Sequence, residues 1–152
     1  MKTWTIHEVA DACAMTTGEL SQWIARGQFR PSATVQPGQR RRFDWRDLAC
    51  LAVMNALRKH SLSINGMALI VSDLRDDLAE MNDICEISGR TFFCADWGKN
   101  QPSQTVGLVT ESDLVAVLKR RPETVIIVNV AAVCRRAAVA IPAVTATGGT
   151  SH

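Results

Sequence analysis

Between Pro37 and Leu48 the chain reads PGQRRRFDWRDL, and its three consecutive arginines, Arg40, Arg41 and Arg42, are the densest chemistry in the sequence. Adjacent guanidinium groups repel one another, so a run of them suits an anionic partner that offsets the repulsion. Residues 26 to 46 add Arg26, Arg30 and Arg46 and contain a single acid, Asp44. Guanidinium forks match phosphate oxygens, and a basic hairpin is suited to following a duplex backbone or entering a minor groove. A solvated charged hairpin with no partner is the competing reading.

A second polar group lies just upstream. Thr16, Thr17, Glu19, Ser21 and Gln22, followed by Arg26, are short or bidentate hydrogen-bonding side chains on a candidate helix. Such side chains read base edges and phosphates from a major groove, although polar residues on any helix surface look alike. Their position between a tight turn and a basic hairpin is what distinguishes them.

Local signals indicate which elements hold these residues. TWTI can form a short edge strand, and HEVADACAM brings Val9, Ala10 and Cys13 onto one helical face. Thr16 or Thr17 can cap the next helix, with Leu20, Trp23 and Ile24 inward and Gly27 as its stop. ATVQPGQRRRF reads as a hairpin about Pro37 and Gly38, anchored by Val35 and Phe43; alternation would put Arg40 and Arg42 on one face and Arg41 on the other. Asp44, with Asp47 three residues on, predicts a cap for DWRDLACLAVMNALRKH, a helix with an apolar stripe through Leu48, Leu51 and Ala52.

The remainder has a different character. Up to Ser63 there are nine Lys+Arg against five Asp+Glu, and after it eight against ten, so a basic head precedes a slightly acidic body. Ile64, Met67, Val71, Leu74, Leu78 and Met81 repeat with a/d spacing, which suits either a dimer seam or a helix packed on its own domain. TFFCADW and QTVGLV then suggest a β-hairpin, TESDLVAVLKRR a helix, and PETVIIVNV a buried strand; AAVCRRAAVAI fits helix or strand. The expected organisation is a head over 1–63, an amphipathic linker or dimer helix over 64–88, a small α/β dimerisation or partner-binding unit over 89–141, and a tail over 142–152. The expected fold class is α+β: a winged helix-turn-helix, then an amphipathic helix and a small β-rich α/β unit.

The head resembles the winged helix-turn-helix DNA-binding domain of MerR-type regulators. Ile6, Val9, Ala10, Leu20, Trp23, Gly27 and Pro31 fall where that pattern has its apolar residues, Gly and Pro, and Arg41, Phe43, Asp47, Leu48 and Leu51 match its wing and following helix. The resemblance runs from about Trp4 to Ile64. It implies that Thr16, Thr17, Ser21 and Gln22 meet the groove and that Arg40 to Arg42 form a wing on the backbone. The chain has LSQW where the family has an Arg after the recognition-helix Leu, and one extra residue between Gly38 and Phe43. No long antiparallel dimerisation helix follows.

Other chemistries fit poorly. The five cysteines form no CxxC pair and read as reduced, mostly buried small hydrophobes; Cys85, Cys94 and Cys134 are the metal-ligand candidates and lack a nearby His. Asp76, Asp77 and Glu80 read as a solvated helix face, His7 and His60 as helix-end residues, and no phosphate loop or nucleophile elbow occurs. No enzyme activity, cofactor or metal is therefore expected. No apolar run reaches the length of about 18 residues that a membrane helix needs. The start, MKTWTIHEVADACA, carries acids where a signal peptide is apolar, so a cytoplasmic location is expected.

These readings converge on a homodimeric transcription regulator that binds double-stranded DNA at an inverted repeat. Arg26, Arg30, Arg40, Arg41, Arg42 and Arg46 would supply phosphate or minor-groove affinity, and Thr16, Thr17, Glu19, Ser21 and Gln22 register and readout. A phage or mobile-element accessory protein, such as an excisionase or a packaging subunit, is the rival within DNA binding. A protein-interaction module, working through the C-terminal unit with Phe92, Phe93 and Trp97, is the rival outside it.

Overall fold

A computed structural model describes residues 2–60, 62–97, 102–120 and 124–141. Helix α1, Ile6–Ala12, starts at Thr5, whose side chain accepts from the Glu8 N–H while the Glu8 carboxylate accepts from the Thr5 N–H at 2.7 Å. This reciprocal cap satisfies two otherwise orphaned donors. Helix α2, Thr17–Ala25, repeats the device with Thr16 and Glu19. The turn between them passes through Ala14 at φ 54°, a left-handed conformation unusual for a residue with a Cβ. The expected N-terminal strand is reduced to one bridge, in which Trp4 and Phe43 exchange backbone hydrogen bonds of 2.8 and 2.9 Å.

The expected basic hairpin is not a ladder. Gly38 takes the left-handed φ of 83° in a tight turn closed by the Gln39 N–H on the Gln36 carbonyl, but residues 39–42 have no strand partner. Phe43, fully buried, ends this loop as its only paired residue. Exposure nonetheless alternates, with Arg40 and Arg42 exposed and Arg41 half-buried.

Helix α3, Trp45–Arg58, is the centre of the molecule. Asp44 and Asp47 form its capping box, and ten of its fourteen residues are buried, so it is surrounded rather than striped. Helix α4, Ile64–Ala79, packs on α3 with Met67, Ile70, Val71, Leu74 and Leu78 at most 3% exposed. The a/d seam is therefore filled by the chain's own core, and the dimer-seam alternative falls.

A 3-10 turn, Ile84–Gly89, leads into a three-stranded antiparallel sheet ordered β2-β1-β3: β1 Phe92–Trp97, β2 Pro102–Val109 and β3 Val125–Asn129. Helix α5, Glu111–Lys119, capped by Thr110, joins β2 to β3. β3 was expected to be buried but is an edge strand, with Ile127 exposed on it. Gly107, at φ 93°, is required: a Cβ there would meet the Asp77 carboxylate at 2.6 Å, the same group that accepts from the Leu108 N–H. The ambiguous last segment is helix α6, Val130–Ala140, which returns to α3 and α1.

One buried cluster consequently runs from Val9 in α1 through α3 and α4 to Phe93, Val128 and Ala137. Packing does not stop at residue 63. A smaller cluster, Cys94, Val109 and Val117, lies beneath α5 on the sheet's other face. The whole is α+β and helix-rich, and among the described residues no helix is long and apolar enough to cross a membrane. The expected hairpin tip over 98–101 and the tail over 142–152 lie outside the described residues.

Candidate nucleic-acid interface

Beyond the shared apolar core, one side chain of α3 ties the α1–turn–α2 pair to it through polar contacts. Arg58 donates to the Glu19 carboxylate at 2.8 Å, to Asn55 at 3.0 Å and to the Ala14 carbonyl at 3.4 Å, and lies over the Trp23 ring. Leu20 is completely buried while Ser21, Gln22, Ala25 and Arg26 are exposed, so α2 is fixed on one face and polar on the other. Among the residues expected to read DNA, Ser21 and Gln22 therefore point outward. Thr16 is exposed but spends its hydroxyl on the Glu19 N–H, and Thr17 is half-buried. Glu19 is committed to the cap and to Arg58; that guanidinium first, and the Thr16 N–H second, hold its carboxyl below the usual range. It is a structural acid, not the readout residue expected.

The arginines divide. Arg26, Arg30, Arg40 and Arg41 make no side-chain hydrogen bond or ion pair among the described residues, and all but the half-buried Arg41 are exposed. Arg42 is exposed yet donates to the Thr3 hydroxyl at 3.1 Å and the Thr3 carbonyl at 2.9 Å, tying the loop to the N-terminal segment. Arg46, expected on DNA, faces the opposite way. It donates to the Leu78 carbonyl at 3.0 Å and to the Met81 carbonyl, and stacks on Trp45 at 4.8 Å. A cation on the carbonyl end of a helix satisfies its orphan acceptors and its dipole, so α4 takes this side chain.

Beneath the loop lies a polar knot that sequence reading saw only as a cap. Asp47 is 0% exposed and accepts from the Ser32 N–H at 2.9 Å, the Ser32 hydroxyl at 3.1 Å, the Asp44 N–H at 3.0 Å and Arg75 at 3.0 Å. Arg75 reaches it from α4, donates to the Ser32 hydroxyl as well, and covers the Phe29 ring. Burial pushes the Asp47 carboxyl above its ordinary range; the Asp44 N–H, the Arg75 charge and the Ser32 N–H oppose that, and the Asp44 charge adds to it. The knot thereby joins the two roots of the basic loop, Ser32 and Asp44, to α4. The signal available in the sequence was Arg75, a lone cation in an otherwise acidic stretch of α4.

The cysteines do not converge on a surface site. Cys94 lies under α5, Cys134 in the main core and Cys85 exposed on the 3-10 turn. Burial drives Cys13, Cys50 and Cys134 up to about 12, which makes them inert thiols at neutral pH. Among the described residues no three His, Cys, Asp or Glu side chains gather as a metal would require.

Two short capped helices at a tight turn, the second apolar inward and polar outward, followed by a basic loop, have the arrangement of a helix-turn-helix. Residues 4–74 match the family model described as MerR HTH family regulatory protein, so the N-terminal head is MerR-like, and DNA-binding transcription regulation is the general function it supports. The match reaches past Ile64 to include most of α4, in keeping with the α3–α4 packing. No curated protein matches the chain.

Proposed function

We propose that the chain is a sequence-specific regulator whose α2 lies in the major groove of double-stranded DNA, with Ser21 and Gln22 toward base edges and Thr16 and Thr17 near the backbone. In this reading Arg26 and Arg30 grip phosphates beside α2, while Arg40 and Arg41, at the basic loop, act as a wing on the backbone or in the minor groove. The observation that carries it is the division of cations: four arginines of the head stay free of described partners, whereas Arg42, Arg46 and Arg58 are used internally. A cation left without an internal partner is available to phosphate, and each phosphate neutralised releases counterions.

The reading includes a homodimer. With the α4 seam filled, the exposed large apolar side chains among the described residues are Leu69 on α4 and, in the C-terminal unit, Val115 and Leu118 on α5, Ile127 on β3 and Val139 on α6, and the reading puts self-association in that unit. Two heads on one face would favour an inverted-repeat site. The same unit is where a protein partner would bind. The reading involves no catalysis, cofactor or metal, and places the chain in the cytoplasm with the DNA it regulates.

Fluorescence anisotropy of duplex DNA from the gene's own upstream region, against a scrambled duplex at several salt concentrations, tests it. Tighter binding to the upstream duplex with a steep salt slope is expected. Weak binding that ignores both sequence and salt would overturn the assignment of α2 and the loop.

A further inference from the structure

On the other side of α2's end, the segment that leaves it and helix α4 enclose a cleft of about 500 Å³. Three guanidinium groups line it from two stretches of chain, Arg26 and Arg30 from the segment leaving α2 and Arg75 from α4, and among the described residues no carboxylate does. Behind its lining, closed off from solvent, lie two buried polar atoms without a partner among the described residues: one terminal nitrogen of Arg75, whose other nitrogen serves Asp47 and Ser32, and the Gln28 side-chain oxygen. The Gln28 amide nitrogen is held by Asn65 at 3.2 Å, which fixes the oxygen in place. Besides Arg75, α4 contributes the apolar Ala68 and Leu69 to the lining, the latter 51% exposed.

Each feature selects a ligand property. Guanidinium forks prefer planar or tetrahedral oxyanions, and no carboxylate competes for Arg26 and Arg30, while Arg75 already serves Asp47. An apolar wall beside the charge favours a ligand with a hydrophobic body over a bare ion, and the volume falls within the range of roughly 300–1,000 Å³ usual for small-molecule sites.

We infer that this cleft binds a small organic anion, a phosphate or carboxylate head on an apolar body, and that the bound anion draws Arg26 and Arg30 away from DNA. The second half rests on the DNA reading above; the first does not. Because a phosphate could also come from the DNA backbone, the test must separate the two sources.

Isothermal titration calorimetry of the full chain, free of DNA, with phenyl phosphate and separately with inorganic phosphate addresses the cleft. Phenyl phosphate should bind at least about tenfold more tightly than inorganic phosphate, and Ala68→Phe, which fills the apolar side without touching a cation, should weaken it about tenfold or more. Should Ala68→Phe fail to fold, Ser72→Glu, at the exposed edge of the cleft, supplies the same readout by charge. In anisotropy, phenyl phosphate should loosen duplex DNA from the wild type and not from Ala68→Phe. No heat at millimolar phenyl phosphate, equal affinity for inorganic phosphate, or undiminished binding in the folded variant overturns the site. Phenyl phosphate binding by a protein that ignores duplex DNA would keep the site and overturn the DNA reading with its competition.

Discussion

Arg40 and Arg46 stand six positions apart in one basic stretch and have opposite fates. Arg40 lies beyond the Gly38 turn, exposed and with no described partner, whereas Arg46 is on the first turn of α3 with its guanidinium against the Leu78 carbonyl in the last turn of α4 and the Met81 carbonyl just past it. The tip of the loop and its root thus divide the cations between an outside partner and the fold itself. Charge density alone does not separate the two, because burial and the proximity of carbonyl or carboxylate oxygens decide which cations are spent. The comparison teaches that a basic stretch should be counted by its free guanidiniums rather than by its arginines.

The largest effect should come from the root. Arg75→Met leaves the buried Asp47 carboxylate without its cation, and breaking such a pair from one side costs about 3–5 kcal/mol. Pairing it with Asp47→Leu should recover a large part of that loss, since two apolar groups leave no orphan charge. Urea unfolding of the two single variants and the double variant measures the coupling. Simple additivity in the double variant would mean that the knot is not a unit and that the loop is anchored elsewhere.

Next come two substitutions that set root and tip side by side. Arg46→Met should lower stability by about 1.5–3 kcal/mol, the range for hydrogen bonds to a charged group, while the salt slope of DNA binding stays as in wild type. Arg40→Ala with Arg41→Ala should do the reverse: unfolding within about 0.5 kcal/mol of wild type, and a slope of log affinity against log salt shallower by about 0.9 per lost phosphate contact in each head. Arg42→Ala falls between them. Its guanidinium already serves Thr3, so it should lose less slope than either tip arginine and a little stability. A slope that drops as much for Arg46→Met as for Arg40→Ala with Arg41→Ala would erase the distinction between tip and root.

How much of this was legible in the sequence follows the same line. The capped helices were readable because a Thr or Asp followed by an acid three residues on acts locally, as Thr16 with Glu19 and Asp44 with Asp47 show. The polar face of α2 was readable from the spacing of Leu20, Trp23 and Ile24. What depends on distant chain was not. The a/d seam of α4 looks the same whether α3 or a second copy fills it, and only the fold shows α3 there. Arg46 gives no local sign that the end of α4, some thirty residues later, will take it. The basic loop carries every hairpin signal, yet its two arms do not pair with each other, and the one bridge it makes is from Phe43 to Trp4. The segment Val130–Ala140 is helical because α3 and α1 need its Cys134 and Ala137 face, which no period in the segment itself declared.

The smallest effect concerns the two acids of the head, whose environments push them in opposite directions. Glu19 is held below its ordinary carboxyl range of about 4.5 by the Arg58 hydrogen bond and the Thr16 N–H. Its contribution to stability is therefore complete above that value and is lost as the pH falls through its folded pKa. Asp47 is pushed up by burial, so its contribution has the other sign: present in acid, lost as the pH rises through its own folded pKa. Across the acid limb Asp47 takes its proton first and favours the fold, and Glu19 takes its proton later and loosens the α1–α2 pair. Glu19→Gln removes only the second of these, so thermal melts of this variant should fall less steeply than wild type at the acid end and run parallel to it near neutrality. An acid limb unchanged in Glu19→Gln would mean that Arg58 holds the helix pair through Ala14 and Trp23 alone, and that the closed part of the head, unlike its open tip, owes nothing to surface charge.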